Sequence, residues 1–180
     1  ESGTFNWAVF HDGFADTTSK FLRLNTNDDI QTYSTVWGAA LPTSSVFGVT
    51  AGGLATASND VIAYCFHNVE NYSAFGKYTG NGSADGPYVN LGFRPAYLIT
   101  MLAATDGTTA NWAVNDSKRG YNGAIGHLAP NDTLVESTGD YIDFLSNGFK
   151  IRHAAYSNFN AYAYIYFAFA ESPFKYANAR

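Results

Sequence analysis

The sequence predicts an all-β protein: an antiparallel β-sandwich of jelly-roll or concanavalin-like type, built from an internal duplication. Three observations carry that expectation. Charged residues make up only 14 % of the chain, while 13 Tyr, 14 Phe and 17 Gly are present. This mixture suits strands joined by tight turns, whereas helical proteins lean on Ala, Leu, Glu and Lys. Turn signals recur at intervals of about ten residues: "HDG", "NDD", "AGG", "TGNGSADGP", "TDG" and "SNG". Finally, the tetrapeptide "NWAV" stands at residues 6–9 and again at 111–114, in a chain with only three Trp residues.

Between the turns, β-branched and aromatic runs place strands near 5–10, 20–24, 46–50, 61–67, 88–91, 95–103, 111–115, 141–144, 148–152 and 162–170. The runs at 61–67 and 162–170 are apolar at both parities. Each is therefore expected to be a central strand covered on both faces. No segment keeps a helical period; "SSVFGVTAGGLATAS" has small residues but too many glycines.

Aligning the two Trp motifs brings further matches into register. "LNTNDD" at 24–29 parallels "LAPNDT" at 128–133, and Val61–Asn68 parallels Tyr164–Glu171. A Phe/Lys/Tyr cluster follows each apolar run, at Phe75–Tyr78 and at Phe174–Tyr176. A period near one hundred residues is too long for a solenoid and suits a duplicated half-domain. The expected organisation is one sandwich unit over 1–180, with a first repeat over about 5–78 and a second over about 92–176. The first repeat lacks a counterpart of the strand-like run Gly92–Ile99, which predicts that the natural polypeptide extends upstream as a longer chain. Trp7 and Trp112 are expected to be core plugs related by the duplication.

Composition excludes several functions. A formal net charge of −5, with Lys118-Arg119 the only adjacent basic pair, speaks against binding nucleic acid or an anionic membrane surface. No apolar run reaches the roughly 20 residues of a bilayer-spanning helix, so no membrane insertion is expected. The single cysteine, Cys65, permits neither an intrachain disulfide nor a thiolate zinc site. It is expected to be a small core residue within an apolar strand.

Catalytic patterns are absent too, and no cofactor is expected. There is no Gly-x-Ser-x-Gly elbow, and most acids sit in turns. His11, His67, His127 and His153 show no metal-ligand spacing and neither recur nor cluster along the chain, so all four read as structural. "NGSADG" offers Asn81 and Asp85 as weak calcium candidates, although tight turns use the same residues for conformation alone. Aromatic residues beside turns are more suggestive. Tyr156, Phe159 and Tyr162 in "RHAAYSNFNAYAYIYF", and Tyr121 in "KRGYNG", place rings beside Asn and Ser. Rings stack on the apolar faces of pyranoses while amides bond hydroxyls, which makes these four the glycan-binding candidates. The alternative is that they cover the end of the sandwich or a neighbouring subunit.

"NYSAFGKYTGNGSADGPYVNLGFRPAYLI" (71–99), "DYIDFLSNGFKIR" (140–152) and "YIYFAFAESPFKYANAR" (164–180) resemble an uncharacterised domain family of tailed-bacteriophage structural proteins, notably marine ones. The resemblance covers most of the second repeat and, more loosely, the first through "VIAYCFHNVENYSAFGKY". It departs at "CFHN" (65–68), where "CFAE" would be expected, and in the loop that follows "NDSKRGYNG" (115–123). It implies a C-terminal domain of a longer virion protein, a tail fibre or appendage, with a concanavalin-like fold and no catalytic residues. The partners implied are other copies in a homotrimer or other homo-oligomer, further virion proteins, and host-surface carbohydrate. A capsid-decoration or tail-assembly role, and a glycan depolymerase, are the alternatives.

Overall fold

A computed structural model describes residues 6–14, 18–34, 36–38, 40–50 and 60–172. Among them there is no helix and there are ten strands: β1 (Ala8–Val9), β2 (Lys20–Arg23), β3 (Gln31–Thr32), β4 (Ser73–Thr79), β5 (Tyr88–Asn90), β6 (Pro95–Leu102), β7 (Ala113–Asp116), β8 (Ile142–Leu145), β9 (Gly148–Ile151) and β10 (Ala163–Ala170). All pairings are antiparallel. They form three sheets, ordered β1-β2-β3, β4-β10-β6-β7 and β5-β9-β8. The fold is all-β and sandwich-like, as the turn spacing and composition predict.

Strand β10 organises the packing. Its residues alternate between the two faces of the four-stranded sheet. Tyr164, Tyr166 and Ala168 join Leu98, Leu102, Phe144, Phe149 and Ile151 in a core shared with the β5-β9-β8 sheet. On the opposite face, Ile165 packs with Met101, Trp112, Phe14, Leu22 and Ile30, in a second core shared with the N-terminal strands. Flanked by β4 and β6 and covered on both faces, β10 is the two-sided central strand that its apolar parity predicts.

The run at 61–67 behaves differently. It forms no strand, and Val61, Ile62, Tyr64 and Phe66 are 56 to 71 % exposed. The place beside β10 that this run would need is taken by the downstream cluster Phe75-Gly76-Lys77-Tyr78, which lies within β4. Residues 61–68 lead instead into the Val69/Ser73 bridge that starts β4, with Phe66 set against Phe75 and Phe169. Cys65 is accordingly exposed, not a core residue. Gly76 masked β4 in the sequence, and the structure requires it: a Cβ there would lie 2.6 Å from the Tyr166 hydroxyl. The strand expected near 46–50 is likewise irregular, whereas β3 had no expectation attached.

The two Trp residues also part company. Trp112 is 1 % exposed and donates its indole N–H to the Arg23 carbonyl at 2.9 Å, a plug between two sheets. Trp7 is 47 % exposed and lies 6.3 Å from the Tyr64 ring. It precedes β1, and among the described residues the clusters packed on that sheet take up Val9 on one side and Ala8 and Phe10 on the other, not the Trp7 ring. The second Phe/Lys/Tyr cluster at 174–176 falls outside the described residues.

Candidate functional site

The segment "HAAYSNFN" (153–160) joins β9 to β10 and contains a feature that the sequence does not announce. Tyr156 and Ser157, neither of them glycine, take left-handed φ values of 39° and 46°. Such residues store about 1–3 kcal/mol each and persist only where the surroundings hold them. Here the anchors are visible. The Ser157 hydroxyl meets that of Thr100 at 2.7 Å, and the Ser157 carbonyl accepts the Tyr78 hydroxyl at 2.7 Å. Burial pushes the Tyr78 phenol well above its ordinary range, so it remains a proton donor.

Asn158 completes the clamp. Fully buried, it accepts the Asn81 N–H at 2.9 Å and donates Nδ2 to the carbonyls of Ser83 at 2.7 Å and His153 at 2.8 Å, with Asn81 Oδ1 at 3.2 Å. The glycine-rich loop 80–86 therefore wraps around Asn158. A Cβ at Gly86 would meet the Ile151 carbonyl at 2.7 Å, and one at Gly80 would strike the Phe159 carbonyl.

The strained turn presents Tyr156, 52 % exposed, to a cluster of rings. Its ring centroid lies 5.2 Å from those of His127, Tyr141 and His153. Tyr141 in turn meets the edge of His127 at 4.7 Å and stacks on His153 at 5.0 Å. Two connections, β7 to β8 with His127 and Tyr141 and β9 to β10 with His153 and Tyr156, thus converge on one aromatic box beside β7, the edge of the four-stranded sheet. Beside it opens a cavity of about 360 Å³, within the usual range for small-ligand sites. Tyr156, Phe159 and His127 line one part of it, and Leu134 and Val135 another. Those two aliphatic residues are 63 and 89 % exposed, at the tip of an excursion closed by the His127/Ser137 bridge.

The electrostatics are simple. Burial lowers the His127 pKa, with the neighbouring His153 acting in the same direction and Glu136 against it, so the imidazole is neutral at neutral pH. Its ring nitrogens make no hydrogen bond to the described residues. Glu136 is bound through Oε1 by Arg119 Nη1 at 3.2 Å, while Arg119 Nε is held by Asp116. The arrangement offers flat rings, a neutral donor-acceptor and a carboxylate oxygen.

Of the four ring candidates, the structure brings two to the cavity, Tyr156 and Phe159. Tyr162 stands next to Phe159 at 6.4 Å, but its hydroxyl donates to Asp106 at 2.8 Å and meets Thr108 at 3.0 Å. It braces the site from behind. Tyr121 is 75 % exposed and lines neither this cavity nor the small void beneath it. The calcium candidates are occupied within the loop: Asn81 Oδ1 accepts the Ser83 N–H at 3.0 Å, and Lys150 Nζ sits 2.7 Å from Asp85. The ammonium supplies the positive charge that the Asp85 carboxylate would seek from an ion. Among the described residues no group of three or more His, Cys, Asp or Glu is placed to hold a metal.

Sequence reasoning missed His127, Tyr141 and His153. The expectation that the histidines do not cluster is corrected: 26 positions separate two of them, and the hairpin of β8 and β9 folds them onto the same two tyrosines. The available signal was "RHAAYSN", where a His and a Tyr three apart share one turn. His11, by contrast, is structural: its buried Nδ1 accepts the Gly13 N–H at 2.8 Å, which requires a neutral ring.

A family model describing a domain of unknown function, DUF7483, matches residues 1–173. The chain belongs to the DUF7483 family. No curated protein and no solved structure matches it. For DUF7483, then, the cavity and its aromatic box are the features from which a function has to be argued.

Proposed function

We propose that this DUF7483 domain is a non-enzymatic module of a phage virion, carried on a tail fibre or appendage, that binds host-surface glycans at the cavity beside Tyr156. The observation that carries the reading is the strained turn at Tyr156-Ser157, locked from beneath so that a half-exposed ring stands among other rings at the mouth of a 360 Å³ cavity. Strain held by this many anchors points to a ring whose position matters. The resemblance of "GNGSADGP", "DFLSNGFK" and "FAESPFKYANAR" to virion proteins supplies the setting. Single-site sugar binding is weak, and display on a homotrimer or other homo-oligomer would give it avidity.

The finer architecture belongs to the same proposal: a sandwich of jelly-roll or concanavalin-like type derived by duplication. It is supported by one repeated detail. Asn25 accepts the Trp7 N–H at 2.9 Å and donates to Asn6 at 2.8 Å. Asn131 does the same for Trp112 and Asn111, at 3.0 Å each.

A second reading, a capsid-decoration or tail-assembly role, is favoured by the exposed apolar run Val61–Phe66 and the Trp7 and Tyr64 pair, which neighbouring virion proteins would cover. A depolymerase draws no support from the cavity, because Glu136 is the one carboxylate among its lining residues and hydrolysis of a glycoside uses two. The test is binding of the assembled domain to defined glycans and host-envelope extracts. Saturable binding that Tyr156→Ala abolishes, with the circular dichroism spectrum unchanged, is expected. Binding indifferent to Tyr156→Ala would refute the site, and an absence of binding would favour the structural role.

A further inference from the structure

The charges around the cavity restrict what it could hold. Among the described residues Glu136 is the only formally charged one on its lining. The guanidinium that pairs with Glu136, that of Arg119, is spent also on Asp116 and on the Val114 carbonyl at 3.4 Å. No lysine or arginine among the described residues lines the walls, and the imidazole facing them carries no charge at neutral pH. A carboxylate or sulfate placed here would meet Glu136 across a partly desolvated gap with nothing to pair it, which burial of an anion does not tolerate.

The apolar groups are as informative. Ala110, Ala113 and Ala129 give the cavity small methyl-lined walls, and Leu134 and Val135 stand at its edge with most of their surface in water. A fully hydroxylated pyranose presents little to such a surface. A ring bearing a methyl group, at C6 or on an acetamide, fills a methyl-lined recess and removes exposed aliphatic area from solvent. Donors of the same ring have acceptors within the site, in Glu136 Oε2 and the His127 imidazole, and Thr109 adds a hydroxyl.

We infer that the cavity selects an uncharged, methyl-bearing sugar unit, a 6-deoxyhexose or an N-acetylhexosamine, and rejects uronic, sialic and sulfated ones. This rests on the carbohydrate reading above. The sign of the lining and its methyl groups can be inverted separately.

The probes are the methyl glycosides of rhamnose, N-acetylglucosamine, glucose and glucuronic acid, titrated against the full domain by saturation-transfer NMR at pH 7.5. Rhamnoside or N-acetylglucosaminide should bind at least tenfold more tightly than glucuronide, with glucoside between them. Glu136→Lys should narrow the gap to glucuronide by about tenfold or more, and the milder Glu136→Gln should narrow it partway. Ala129→Ser should reduce the preference for the methyl-bearing sugars over glucoside. Glucuronide binding as tightly as the neutral sugars, or a gap that Glu136→Lys and Glu136→Gln both leave unchanged, overturns the selectivity while leaving the carbohydrate reading intact. Failure of all four glycosides to bind overturns both.

Discussion

Asn158→Ala is the most direct test of how the candidate site is held. The wild-type amide makes one accepted bond, from the Asn81 N–H, and donates to the Ser83 and His153 carbonyls, all at 2.7–2.9 Å. The contact with Asn81 Oδ1 at 3.2 Å is longer and shares an Nδ2 proton with the others, so it is left out of the sum. At about 1 kcal/mol net for each neutral bond, the three amount to about 3 kcal/mol. The orphaned carbonyl and N–H groups lie in partly buried loops where water reaches them, so the full desolvation penalty of a sealed core does not apply. For a chain of this size, 3 kcal/mol corresponds to roughly 6–12 °C in Tm. Urea denaturation followed by tryptophan fluorescence gives the difference directly, provided that the m-value is unchanged. A loss below about 1 kcal/mol would refute the claim that Asn158 clamps the 80–86 loop to the Tyr156 turn. Because the same amide fixes that turn, the variant should also weaken the glycan binding proposed above while Tyr156 itself is untouched.

Trp112→Ala and Trp7→Ala should separate sharply despite their identical sequence context. The first empties a site 1 % exposed and is expected to lose about 3–5 kcal/mol; the second removes a half-exposed ring and should change stability by under about 1 kcal/mol, as measured by the same denaturation. Equal effects would contradict the difference in burial. Acid should destabilise the domain in a defined window. Burial lowers the folded-state pKa of both His11 and His127 below 6.5, so the unfolded chain binds the extra protons. This contribution is complete above pH 6.5 and is lost as pH falls below it, down to the folded-state values. The carboxylates lowered by their partners, Asp28, Asp106 and Asp116, act lower, below 3.8. Tm should therefore fall from pH 7 to pH 5, and the double variant His11→Gln/His127→Gln should flatten that slope; a flat wild-type profile would refute it.

The candidate site was legible only in part. "YSNFN" and its aromatic neighbours pointed to the segment that lines the cavity, since rings beside Asn and Ser in a turn are a local pattern. That Tyr162 would be tied to Asp106, more than fifty positions away, and Tyr121 left outside the cavity is not encoded locally. The glycine loop shows the same limit. Its sequence marks a tight turn with weak calcium candidates, and nothing local in it foretells the contacts with Asn158 and Lys150.

By itself the sequence determined the all-β class, the turns, eight of the ten strands and the two-sided burial of β10. All of these follow from side-chain periodicity and from the conformations that glycine, Asn and Asp allow. Tertiary structure alone decided which segment lies beside β10, why Trp112 is core and Trp7 is not, and that His127, Tyr141, His153 and Tyr156 share one box. Pairing and packing are competitions among segments distant in the chain, and an apolar run records only that it would gain from burial. Whether it is buried depends on which segment takes the limited place beside a central strand, and here β4 takes it while Val61–Phe66 remains at the surface.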